Sequence, residues 1–503
     1  MATSPFRPAS GRTGQASGLC YPFSIRHQLP EATPHLNRPQ TPNDLMTIDV
    51  TSGNYGCCDG LSRRSFLKIG ALAFGGLTVA KQLQLEARAA AAGKSTKDLS
   101  VILLWQGGGP SHLDMWDLKP SAPAEFRGSF NPIKTVIPDY QVCEHMPRIA
   151  QMVDRLAIIR SVTHPDSGHE SASHTLLTGY KPSNDIPSNE VPSYGSIVGY
   201  EMGPRVEGFP AYACVPRALK STAAAYLGVA YNPFETSGDP NSADFQVRNL
   251  KLPNGLTLDR LQRRRELMTT FDTLRRDVDA SGLITGMDSF SQKAFEMATS
   301  PKVQAAFDIS RESAQLRDRY GRHTMGQSTL LARRLVEAGV RFVTVDTGGW
   351  DTHANNFESM KNNKLPQFDT SFASLIEDLD ERGMLEKTLV LVWGEFGRTP
   401  RINKDAGRDH WPNAMTAVLA GGGIKRGVVL GETDARAEFP KERPVSPQDV
   451  LATMYGQLGI DTEKSYRNEA DRPVPILNNG TPIREIIWPL GMGRCFLTTD
   501  GHG

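Results

Sequence analysis

From Asp98 onward, short runs of consecutive apolar residues alternate with longer stretches in which apolar positions recur at helical spacing. The runs at 99–105, 156–162, 340–347 and 388–393 leave no polar face for solvent, which predicts buried strands rather than half-wet ones. Between and after them, "MPRIAQMVDR" at 146–155, "SASHTLLTG" closed by Gly179, most of 256–337 and about 366–382 predict helices. "AMTAVLA" and "GVVLG" predict two further strands. Ser446 and Pro447, a cap and a residue suited to a first turn, open another helix. Strand and helix in repetition predict an α/β chain whose mostly parallel sheet carries helices on both faces. The Pro-, Ser- and Asn-rich section 181–254, with a weak strand signal in "AYACV", reads as an insertion or cap.

The first 54 residues break this pattern, being rich in Pro, Ser, Thr and Gly with little periodicity, so residues 1–45 read as a disordered extension or as chain preceding a true start at Met46. Residues 46–92 read as a twin-arginine export signal. Arg63 and Arg64 precede a short Gly-interrupted apolar stretch and the small-residue run "ARAAAAG". That stretch falls short of the ~20 apolar residues of a bilayer span, so the expected partner is the twin-arginine translocase and the expected location is periplasmic or extracellular, without a stable membrane span. The domain proper is expected at 97–495.

A formal net charge of +1 over 503 residues offers no basic face and argues against a nucleic-acid partner. Beyond the expected cleavage point only Cys143, Cys214 and Cys495 remain, which cannot form a full disulfide framework but leave room for one pair, and without CxxC spacing they do not suggest a thiolate metal site.

In an open parallel sheet ligands gather beyond the carboxyl ends of the strands. Those loops read "QGGGPSHLD" (106–114), "THPDSGHE" (163–170), "GGWDTH" (348–353) and "GEFGR" (394–398), followed by "GRDH" (407–410). Histidine is scarce in this chain, yet seven of the eleven (His112, His145, His164, His169, His174, His353, His410) fall in or beside them. With Asp114, Asp351, Glu395 and Asp409 they form an oxygen and nitrogen donor set suited to one or two divalent ions: Zn, Mn, Mg or Ca. Asp351 and His353 converge if their Gly-rich turn curls. Glu395 is a ligand or the ion-pair partner of Arg398, which otherwise serves as an anion clamp. Asp409 and His410 are adjacent and diverge, so one of them is expected to orient a neighbour. His112 and Asp114 complete the expected set. Ser167 and His169 precede a helix, Ser167 as cap or nucleophile and His169 as ligand, base or cap neighbour. The glycine loop lacks the Lys-Ser/Thr of a P-loop and the spacing of a dinucleotide fingerprint.

The order of strand, Gly loop, polar cluster ending in "LLTGY", "WDTHANN", "GEFGRTP" and "GRDH" resembles the alkaline phosphatase and sulfatase superfamily. With the leader "RRSFLK" and "DHWP", it resembles more closely the exported proteins of domain-of-unknown-function family 1501. The resemblance implies an alkaline-phosphatase-like three-layer sandwich. It also implies metal ligands at Asp351, His353, Glu395 and His410, and a phosphate or sulfate ester as substrate, small or part of a polysaccharide. Ser167 sits two residues away from the phosphatase serine, and the sulfatase Cys-x-Pro-x-Arg signature is missing. Either a hydrolase or a non-catalytic envelope binding protein on this fold is expected.

Overall fold

The computed structural model describes residues 98–183, 189–247, 250 and 296–488. The leader, Cys495 and most of the helical stretch expected from 256 lie outside the described residues. Eight strands build the central sheet: β1 (Ser100–Trp105), β2 (Leu156–Val162), β3 (Tyr212–Val215), β4 (Phe234–Glu235), β5 (Phe342–Asp346), β6 (Thr388–Trp393), β7 (Met415–Ala420) and β8 (Val428–Leu430). Their order is β8-β2-β7-β6-β1-β5-β3-β4, all parallel except β7.

Alternation along each strand assigns its side chains to two cores. Ile102 and Leu104 of β1 face one core with Leu331, Leu335, Phe368 and Phe372, from α3 (Thr324–Ala338) and α4 (Leu365–Glu381). Val101, Leu103 and Trp105 face the other. That second core is covered by α1 (His169–Thr178), α2 (Tyr194–Met202) and α5 (Pro447–Leu458). With both faces covered, the apolar runs need no polar side, and the three-layer α/β expectation holds. Ser446 and Asp449 form a reciprocal capping box on α5, and Gly179 closes α1 in the left-handed region at φ 84°.

Two expectations are corrected. "MPRIAQMVDR" does not form one helix but two short turns, Pro147–Ala150 and Val153–Arg155. "AYACV" is not part of a cap: it supplies β3, paired in parallel with β5 inside the main sheet. Five residues between Pro210 and Pro216 are too few to show a period, so their weak strand signal could not place them in the main sheet.

The lone antiparallel strand decides where the polar segment after β6 runs. A crossover helix would carry the chain away from the rim; here the chain stays there through 394–414, pairs Gly397–Arg398 with His410–Trp411, and then returns as β7. Glu395, Arg398, Asp409 and His410 are thereby all held at the carboxyl ends of β6, β1 and β5.

Candidate metal centre

The loop after β5 is fixed first by its backbone. Gly349 and Trp350 both donate to the carbonyl of Gly107 in the loop after β1, and the buried indole of Trp350 donates to Thr347 O at 2.8 Å. At Gly108, φ is 108° and a Cβ would lie 2.5 Å from Asp351 N, so only glycine permits the two loops to touch. A second close approach occurs at Gly407, where a Cβ would meet the carbonyl of His353 at 1.9 Å. These contacts set Asp351 and His353 beside the segment that carries Asp409 and His410.

Four side chains from three distant segments then converge. His169 Nε2 lies 3.3 Å from Asp351 Oδ2, and His410 Nε2 and His353 Nε2 lie 3.3 Å and 3.0 Å from Asp351 Oδ1. His353 Nε2 and His410 Nε2 face each other at 3.0 Å. Ligand atoms of His169, Asp351 and His410 all fall within 4.8 Å of one another. Donors bound at ~2.1 Å to a tetrahedral ion stand roughly 3.4 Å apart, close to these separations.

The proton inventory of the three imidazoles makes the fit sharper. His169 Nδ1 is 2.7 Å from Glu395 Oε1, His353 Nδ1 is 2.6 Å from Asp409 Oδ1, and His410 Nδ1 is 2.8 Å from the carbonyl of Ser167. Every one of these partners accepts, so with the proton of each ring on Nδ1 an ion at the shared point would meet an Nε2 lone pair from each. Two lone pairs 3.0 Å apart repel unless a cation or a proton lies between them. Oxygen-backed imidazoles with the opposite nitrogen free are the arrangement that holds a divalent ion. His169, Asp351, His353 and His410 would hold it; Glu395 and Asp409 would orient the rings.

The electrostatics follow from burial. Glu395, 3% exposed, accepts from both His169 and the Gly108 N–H at 2.7 Å, and this bond to Glu395 is what chiefly raises the His169 pKa. Burial would raise Asp351, but the Arg398 hydrogen bond and charge, then His169 and His353, bring it down to about 2. Its bond to His353 lowers Asp409, and burial lowers His410. The ring of Phe396 forms an apolar floor, 5.0 Å from the His169 ring and 4.3 Å from that of His410.

Other expected site residues take different places. Arg398 is fully buried; its guanidinium donates to the carbonyls of Gly108, Gly109 and Arg408 and, at 2.5 Å, to Asp351 Oδ1. It therefore positions Asp351 and is not free to clamp an anion. Asp114 is not brought to the cluster. Its carboxylate is buried against Arg408 (2.7 and 2.9 Å), Asn356 and Ser111, locking the loop after β1 to the segment leading into Asp409. His112 is buried too, with Nε2 donating to Ala437 O at 3.0 Å. Ser167 contributes its carbonyl, and its exposed hydroxyl has no hydrogen-bond partner among the described residues. Arg408 and Phe396 were not foreseen from sequence; an arginine directly before Asp409-His410 was the one available sign.

With this geometry in place, the chain is seen to belong to the family described as "Protein of unknown function (DUF1501)", whose model matches residues 98–487. No curated protein matches. Solved structures with a similar course include a sulfatase from Pseudoalteromonas sp., 13% identical, over 74% of this chain and 70% of that one, with a TM-score of 0.33. A lipoteichoic acid synthase from Listeria monocytogenes matches at 10% identity over 78% and 77%, TM-score 0.33. Alkaline phosphatase from the Antarctic bacterium TAB5 matches at 13% identity over 69% and 97%, TM-score 0.32.

Proposed function

We propose that the protein is an exported, metal-dependent hydrolase of phosphate or sulfate esters. The observation that carries this reading is the convergence of ligand atoms of His169, Asp351 and His410 within 4.8 Å of one another, with His353 Nε2 3.0 Å from both Asp351 and His410, at an open rim. A divalent ion held there supplies Lewis acidity toward the ester oxygens and makes water a competent nucleophile near neutral pH. The chain's own residues do the rest. Glu395 and Asp409 hold the rings of His169 and His353 in one tautomer, Arg398 fixes Asp351, and Phe396 keeps water from one side of the donors. Water rather than Ser167 is the nucleophile in this reading, since no base is placed against that hydroxyl among the described residues.

Export rests on the twin arginine Arg63-Arg64 and the short apolar stretch after it, which lie outside the described residues. Among the described residues, no helix is long and apolar enough to cross a membrane. The test is metal analysis of the purified chain followed by chromogenic phosphomonoester, phosphodiester and sulfate ester substrates. Turnover that disappears in His353→Ala supports the hydrolase. A metal-loaded chain inert on every ester makes it a binding protein instead.

A further inference from the structure

With Arg398 and Arg408 consumed inside the protein, the rim needs other cations to receive an anion, and the segment after β3 supplies two. β3 runs parallel to β5, so Arg217 emerges at the same rim as the loop carrying Asp351. Its Nε donates at 2.7 Å to Asp346 Oδ2, whose other oxygen accepts from Gly348 N at the start of that loop. Asp346 is buried, yet the Arg217 side chain is 70% exposed, and its terminal nitrogens have no acceptor among the described residues. A guanidinium anchored through Nε with its outer edge facing solvent is preorganised for two parallel bonds to an oxyanion.

Lys220 follows three residues later, within ~10 Å of chain. Its Nζ lies 2.9 Å from Glu170, the residue after His169, in a pair exposed at 60% and 52%. An exposed pair of that kind contributes little to stability, so an incoming anion displaces Glu170 at little cost. Adjacent strands lie ~4.8 Å apart, which sets Arg217 about 14 Å from the strand end bearing Glu395, three strands away. The two cations are thus tied to two segments of the metal centre, Arg217 to the strand that leads into the Asp351 loop and Lys220 to the His169 helix.

We propose that Arg217 and Lys220 form an anion-recognition site beside the metal centre, and that the substrate is a multiply sulfated or phosphorylated polyanion carrying charge beyond the ester that is cleaved. The identity of the cleaved ester rests on the hydrolase reading; the recognition of a polyanion does not. Charge on the protein points the same way. Asp351, Glu395 and Asp409 place three carboxylates at the centre, which disfavours a lone anion and rewards one that also reaches cations outside.

The test is calorimetric titration of the zinc-loaded full chain with sucrose octasulfate and, separately, inositol hexakisphosphate, against inorganic sulfate. At least one polyanion is expected to bind tenfold or more tightly than sulfate, and the tighter of the two distinguishes the sulfated from the phosphorylated class. Arg217→Gln and Lys220→Ala should each weaken that binding threefold to tenfold, while zinc affinity stays within twofold. Equal polyanion affinity in the wild type and both variants, or affinity no better than for sulfate, overturns the proposal. Failure of the hydrolase reading shows separately, as zinc that does not bind or esters that do not turn over while the metal-free chain still binds the polyanion.

Discussion

Replacing Glu395 by glutamine isolates the step on which the metal centre depends. The carboxylate is buried; Oε1 accepts from His169 Nδ1 and Gly108 N, while Oε2 is buried with no partner among the described residues. A glutamine must put its amide NH2 at one of those two oxygen positions. At the Oε2 position the NH2 is buried without an acceptor, costing about 1–3 kcal/mol. At the Oε1 position it donates to His169 Nδ1, drives the ring proton to Nε2 and removes the lone pair that faces Asp351 and His410. In the first orientation the ring keeps an oxygen acceptor but loses the negative charge behind it, and in the second it loses the acceptor itself; with the carboxylate gone, metal binding weakens about 10- to 100-fold, or ~1.4–2.7 kcal/mol. Zinc affinity is measured by competition with a chromogenic chelator at pH 7.5, with far-ultraviolet circular dichroism to verify the fold. A folded Glu395→Gln chain that binds zinc as tightly as the wild type refutes the role given to the Glu395 carboxylate.

Three other outcomes are expected. Asp114→Ala leaves the fully buried guanidinium of Arg408 without its counter-charge; a loss of about 3–5 kcal/mol in urea unfolding is predicted, and a loss under 1 kcal/mol contradicts the clamp. Asp409→Asn, at an exposed pair, should weaken zinc binding less than Glu395→Gln does, and an effect at least as large reverses the ranking drawn from burial. Burial pushes His164 down to about 4, so between pH 6.5 and 4 the unfolded chain binds the extra proton and stability falls as pH falls, by about 3 kcal/mol in all. His164→Gln should flatten that part of the urea-midpoint profile, and an unchanged slope rules His164 out as its source.

Much of this arrangement was legible in the chain because its strands are uniformly apolar. A run such as Thr388–Trp393 admits only a doubly covered strand, and the polar residues after it must then lie at the rim. What sequence could not decide was which polar groups use each other. Arg398 and Asp114 have the chemistry of a clamp and a ligand, but packing turns both inward, onto carbonyls and onto Arg408. Asp409 and His410 show the opposite case. Neighbours on an extended segment must diverge, and here the imidazole faces the cluster while the carboxylate stands behind His353. β3 was read as a weak strand of an insertion or cap because five residues between prolines carry no period, and with it Arg217 and Lys220 were left out of the rim.

The hydrolase reading requires that His169, Asp351, His353 and His410 hold a divalent ion. Titration of chelator-treated protein with zinc, read by calorimetry with elemental analysis of the product, asks this of the molecule without any substrate. At least one tightly held ion per chain is predicted, lost in an Asp351→Ala, His410→Ala double variant that remains folded. Zinc that binds no better to the wild-type chain than to that variant would leave the cluster without an ion to hold.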